Sequence, residues 1–225
     1  METLVMTQTT TLEPPRFALF ELAYLLAGRT DAHANRTREL LGIPEIADEN
    51  DTVYAAGFAG LVARGFIADA GVGPIPRNVA GVVALALGTA SQWISLAVRT
   101  EATFDMSLLI EGERASCLIR RAPGPTFDFV FIQPGNPIAD VAVTLVDGLL
   151  DTAPNIEIMV RSANTTEDAA LLVLQDPSHN YRLGIDPIFP DDANWPAPDL
   201  VPVDSDRVAA LAAVATLVDA HRIVR

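Results

Sequence analysis

Three observations place this chain in the α+β class, as a central and mostly antiparallel sheet with helices before and after it. First, the stretch Gln92 to Gln133 reads as four strands in a row: Gln92–Thr100, Thr103–Ile110, Arg114–Arg121 and Thr126–Gln133. They are rich in Ile, Leu, Val, Phe and Thr, which suit a pleated surface. Second, the connectors Glu111-Gly112-Glu113 and Ala122-Pro123-Gly124-Pro125 are too short to carry a chain back for parallel pairing, so the strands form an antiparallel meander. Third, the segments on either side carry apolar residues at helical spacing.

The 225 residues are read as one α+β domain: a loose tail over 1–15, a helical part over 16–90, the meander over 91–135, and a helix, further strands and a C-terminal helix over 136–225. Phe17–Ala27 is expected to be a helix, with Phe17, Phe20, Leu22, Tyr24, Leu25 and Leu26 as a broad apolar stripe and Gly28 as its stop. A polar stretch follows, with Arg36 and Arg38 beside a short helix to Leu41. The acidic Asp48-Glu49-Asn50-Asp51 lacks the alternating ligands of a calcium loop and reads as the cap of the next helix, Thr52–Arg64. Phe66-Ile67 is a short extended piece, Gly71–Pro76 breaks the chain, and Arg77–Gly88 is a further helix.

After the meander, Ile138–Leu150 has helical spacing and Ile156–Arg161 alternates cleanly as a strand. Thr165-Thr166-Glu167-Asp168 resembles a helix start, and Ala169–Gln175 fits either helix or strand. Tyr181–Ile185 is a strand, Asp186–Pro202 a Pro- and Asp-rich loop holding Trp195, and Asp204 or Ser205 caps a final helix, Asp206–Arg222. That last helix is apolar nearly all round, so it is either buried on several sides or docked on a partner.

Composition removes several function classes. All 15 basic residues are Arg, which rules out a Schiff-base or phosphate-loop lysine. The formal net charge of -14 repels phosphate backbones and keeps a chain of mean hydropathy +0.28 in solution. No helix presents a row of Arg, which argues against a winged-helix reading of the N-terminal part. Cys117 is the only cysteine, so neither an intrachain disulfide nor a cysteine metal cluster can form, and its strand neighbours mark it as a core thiol. No signal peptide and no apolar run of spanning length is read, which points to a cytoplasmic protein.

Catalytic chemistry is equally thin. His33, His179 and His221 have no metal-type spacing. Asp176-Pro177-Ser178-His179-Asn180 brings an acid, a hydroxyl and an imidazole together in sequence, but no nucleophile elbow surrounds Ser178 and a polar turn is the simpler reading. Gly71-Val72-Gly73-Pro74 is not a dinucleotide loop. No cofactor, metal or nucleic-acid partner is expected, and the chain is read as a non-enzyme.

One order of elements carries a resemblance. A helix ending in Leu61-Val62-Ala63-Arg64-Gly65-Phe66-Ile67 is followed by a Pro-flanked turn, the helix Asn78–Leu87, Ile94-Ser95-Leu96-Ala97-Val98-Arg99 and three more strands. Then Phe129-Val130-Phe131-Ile132-Gln133-Pro134 leads into Ile138–Leu150, and Leu200-Val201-Pro202-Val203-Asp204 leads into an Ala/Leu-rich helix. This resembles the EspG family, the ESX (type VII) secretion-associated chaperones of actinobacteria. The resemblance spans about residues 17–160 and, more loosely, 195–222. It implies a cytosolic chaperone that binds secreted PE–PPE-type heterodimers, with no catalytic residue and no cofactor. Between Arg161 and Trp195 the chain is shorter than the full second half of that family. The alternatives are a structural component of an assembly or a hydrolase using Ser178 and His179. The candidate protein contacts are Glu111, Gly112 and Glu113 at the hairpin tip, and Val214 and Leu217 on the C-terminal helix, the last two only if that helix is not wholly interior.

Overall fold

The computed structural model describes residues 13–46, 51–69, 73–185 and 203–221. The chain enters as a three-residue strand, β1 (Arg16–Ala18), and turns directly into α1 (Leu19–Leu25). The expected helix from Phe17 therefore starts two residues late. Phe17 pairs with Phe127 at the edge of the meander, and its buried ring meets Phe129 edge-on at 5.5 Å. α2 (Ala32–Leu41) and α3 (Thr52–Ala63) begin at Asp31 and Asp51, whose carboxylates accept from Ala34 N and Val53 N. Gly42, left-handed at φ 64°, closes α2.

A small two-stranded ribbon, β2 (Ile67–Asp69) with β3 (Pro74–Pro76), precedes α4 (Asn78–Gly88). The meander follows as β4 (Ala90–Arg99), β5 (Phe104–Gly112), β6 (Cys117–Ala122) and β7 (Thr126–Phe131), paired antiparallel in sequence order as the connectors require. β6 starts at Cys117 rather than Arg114, because β5 runs on through Glu111 and Gly112 to pair with the start of β4.

α5 (Ile138–Leu150) leads into β8 (Ile156–Ala163), β9 (Asp168–Gln175) and β10 (Tyr181–Ile185). The expected helix start at Thr165–Asp168 is a hairpin turn instead. The Asn164 carboxamide oxygen accepts from Thr166 N and Glu167 N, so the polar cluster nucleates a turn, and Ala169–Gln175 is strand. β11 (Val203–Ser205) takes in Asp204 and Ser205, which moves the cap of α6 (Arg207–Ala220) to Asp206, whose carboxylate accepts from Ala209 N. Among the described residues no helix lies between α5 and α6. The expected tail over 1–15 and the loop with Trp195 lie largely outside the described residues.

All strands but the ribbon belong to one nine-stranded sheet in the order β1-β7-β6-β5-β4-β8-β9-β10-β11. β4 is the hinge of this order, since it pairs antiparallel both with β5 and with β8. Its side chains alternate between two cores. Trp93 lies among residues of α1 to α4 on one face, while Ile94, Leu96 and Val98 lie with α5 and α6 on the other. Each core closes because the strand beneath is apolar on that side too: Leu108, Ile110, Cys117 and Ile119 on the first face, Ile156, Ile158 and Val160 on the second. α2 is pinned to the sheet by polar groups. Thr37 Oγ1 accepts the Trp93 indole N–H at 3.0 Å, and the His33 Nδ1 lies 2.7 Å from the Ala90 carbonyl. Arg36 reaches across to Asp168 at 2.9 Å, and Asp168 also meets Arg161. The two guanidiniums, Arg161 first, hold the Asp168 carboxyl below its ordinary range.

The all-round apolar character of α6 has an internal explanation. Ala210, Val214 and Val218 are fully buried against the sheet and α5, and Arg207 ties the start of α6 to Asp147 of α5 and to Asp151 just after it, at 2.7 Å each. Val214, offered by the sequence as a partner contact, is thus an interior residue; Leu217 is half-buried. Val214→Asp would place an unpaired carboxylate in that core and is expected to cost about 3–5 kcal/mol. Chemical denaturation checks this.

Cys117 is fully buried on the first face, and burial pushes its thiol from 9.0 up to about 12. Between those values the unfolded chain loses a proton that the folded chain keeps, so this thiol contributes a stability that is flat below pH 9.0 and declines as pH rises toward about 12. The native protein at pH 8 is expected to resist a chromogenic thiol reagent and to react at once when unfolded. Cys117→Ala should flatten the alkaline part of the stability profile.

Candidate protein-binding cleft

A cleft of about 920 Å³ lies between the end of α1, α3, α4 and the β3 strand. One side of it is set by the close packing of α1 on α3. Gly57 lets α3 approach the α1 backbone: a Cβ there would stand 2.1 Å from the Phe20 carbonyl oxygen. Beside it the buried Glu21 accepts the Ala18 N–H at 2.8 Å and an Arg64 Nη1–H at 2.6 Å. Arg64 donates its other Nη to the Arg16 carbonyl at 2.7 Å and stacks over Phe66 and Phe17, 4.6 and 5.2 Å from the ring centres. One side chain thereby locks β1, α1 and the end of α3. Arg64 is the arginine of the helix end that carries the family resemblance, so that motif has a packing role here.

The floor of the cleft is aromatic, with Tyr24 and Tyr54 ring centres 4.9 Å apart. The wall of α4 presents Val82 and Leu85, 39% and 37% exposed, and Ile75 of β3 is 44% exposed nearby. Asn78, at the first turn of α4, lines the cleft with a left-handed backbone at φ 53°, a conformation that is uncommon for a residue with a side chain. Arg38 is buried in the cleft wall and closes the end of α1, donating from Nη2 to the Leu26 and Arg29 carbonyls at 2.6 and 2.7 Å and from Nη1 to Asn35. Arg29 is half-buried and donates one bond, to the Gly88 carbonyl at 3.0 Å. Such a cleft offers apolar area with a few directional donors, the composition of a ligand-binding pocket.

The sequence-derived candidates lie elsewhere. Glu111 and Gly112 end β5 and are half-buried, while Glu113 is exposed at the tip. Gly112 faces the end of α4, and a Cβ there would stand 2.6 Å from the Ala115 carbonyl oxygen, so glycine is required by space. Gln92 joins this tip to α6, since it pairs with Glu111 in register and donates to the Val218 carbonyl at 2.6 Å. Yet Val214 points inward, so these five residues do not form one surface. Ser178 and His179 are exposed on the β9–β10 turn. There the Asp176 carboxylate accepts from Ser178 N and from Asn180, and no side-chain bond joins Ser178 to His179. Asn180 chiefly holds the Asp176 carboxyl below its ordinary range. Among the described residues no group of three His, Cys, Asp or Glu side chains is placed to hold a metal, and no helix is long and apolar enough to cross a membrane.

Sequence reasoning missed the cleft residues Tyr24, Arg29 and Tyr54. The one local signal was Gly28; α1 ends earlier than expected, at Leu25, and Gly28, left-handed at φ 73°, stands in the turn just before Arg29. Removing the clamp tests the architecture of the site: Arg64→Ala leaves the buried Glu21 without its charged partner and is expected to cost about 2–3 kcal/mol by thermal or chemical unfolding.

No family model matches the chain, and no curated protein sequence matches it. Among solved structures the chain is similar to the type VII secretion system chaperone EspG5 of Mycobacterium tuberculosis, solved in complex with the PE25–PPE41 dimer. The TM-score is 0.51 at 10% sequence identity, over 91% of this chain and 95% of that chain. The resemblance read from the order of elements is therefore present in the structure as a likeness of fold.

Proposed function

We propose that this chain is a non-catalytic protein-binding chaperone or adaptor of the cytosol, acting on a PE–PPE-like heterodimer in type VII secretion. The observation that carries this reading is the fold likeness along nearly the whole length of both chains to a chaperone solved with such a dimer. An apolar cleft walled by Val82 and Leu85 in a protein of net charge -14 supports a protein partner, since the charge disfavours nucleic acid and the apolar wall favours an apolar surface. Co-expression with the PE–PPE-type pairs of the same genome, followed by size-exclusion chromatography, is the test. A co-eluting complex of the chain with one heterodimer is expected; failure of every pair to co-elute, with the chain folded, overturns the proposal.

A further inference from the structure

The arginines of the cleft are in an unusual electrostatic position. Among the described residues six arginines are buried or half-buried: Arg29, Arg36, Arg38, Arg99, Arg161 and Arg207. Four of them, Arg36, Arg99, Arg161 and Arg207, pair with a carboxylate at short range. The two that meet no carboxylate within 4.0 Å among the described residues, Arg29 and Arg38, both line this cleft. This happens in a chain whose carboxylates outnumber its arginines by 29 to 15, where partners are plentiful. Glu45, exposed on the rim, stands beyond that range of both. A cation drawn partly out of water gains most from a carboxylate brought to it, and Arg29 has spent one of its five N–H donors.

We infer that the cleft takes an apolar peptide segment bearing a carboxylate, with Val82, Leu85 and the Tyr24–Tyr54 floor receiving its apolar side chains and Arg29 its charge. This rests on the protein-binding reading above and names the chemistry of the bound segment. The carboxylate can be a chain terminus or an Asp or Glu side chain. A phosphate-rich surface fits less well, because a polyanion brings many charges against a net charge of -14 to satisfy one accessible guanidinium.

The test uses the full chain and three fluorescein-labelled short peptides of one Leu/Phe/Ala sequence: one with a free C-terminal carboxylate, one amidated, and one amidated with a central Glu. In fluorescence anisotropy at low salt, at least one carboxylate peptide is expected to bind about 10-fold tighter than the uncharged amide. Which one does so identifies terminus or side chain. Arg29→Gln should remove that ratio, while Val82→Asp should weaken all three peptides. Added NaCl should shrink the ratio in the wild-type protein, a reading that needs no variant to fold. Equal binding of acid and amide, an unchanged ratio in Arg29→Gln, no salt dependence of the ratio, or no binding of any peptide overturns the assignment. If the heterodimer co-elutes but the peptide ratio is absent, the cleft assignment falls alone. If the ratio is present and no heterodimer co-elutes, the partner class falls and the cleft stands.

Discussion

The structure depends on one strand being buried on both faces. β4 is exposed at neither side from Ala90 to Val98, and it pairs with β5 on one edge and β8 on the other. A strand in that position must be apolar at consecutive positions, since each successive side chain enters a different core. Trp93 commits one face to the N-terminal helices, and Ile94, Leu96 and Val98 commit the other to α5 and α6. A slip of one residue in its register would exchange the two sets and leave the Trp93 indole without Thr37. The β-bulge between Ala90 and Gln92 lies at the end of this strand, where Gln92 turns toward α6 and Ala90 joins the first core.

Around that strand the polar groups act mostly as fasteners. Glu21 and Arg64 bind β1, α1 and α3; Arg36 and Asp168 bind α2 to the β8–β9 hairpin; Arg207 binds α5 to α6. Each joins segments far apart in sequence, and each uses an arginine, whose planar fork can serve two acceptors at once. With carboxylates in excess, four of the six arginines drawn at least partly into the protein among the described residues pair with one. That regularity gives meaning to the cleft, where Arg29 and Arg38 spend their donors on carbonyls and a carboxamide instead.

An acidic chain with exposed apolar side chains stays in solution when those side chains are recessed or scattered. Val82 and Leu85 lie in a recess, while Phe20, Val62, Phe104, Val130, Val203 and Val208 are exposed singly elsewhere, on a chain whose carboxylates outnumber its arginines. α6, whose sequence suggested a second apolar surface, spends its apolar residues on the interior, and its outer side is mainly Ala, Thr and Asp with Val208 as the exposed exception.

The meander, the limits of α5, the strand at Tyr181–Ile185 and the buried thiol were legible in the sequence, because each follows from local pattern: short connectors force antiparallel neighbours, and alternation assigns faces. The order of elements also pointed to the fold likeness. What the sequence left open was decided by pairing across long separations. Phe17 became strand because β7 offered it an edge, Ala169–Gln175 became strand because β8 and β10 lay on either side, and Val214 became interior because α5 and the sheet closed over it. The cleft was invisible for the same reason. Its residues come from Tyr24 to Leu85, and the lack of a carboxylate within 4.0 Å of Arg29 and Arg38 among the described residues is a property of three-dimensional neighbours that no local spacing encodes.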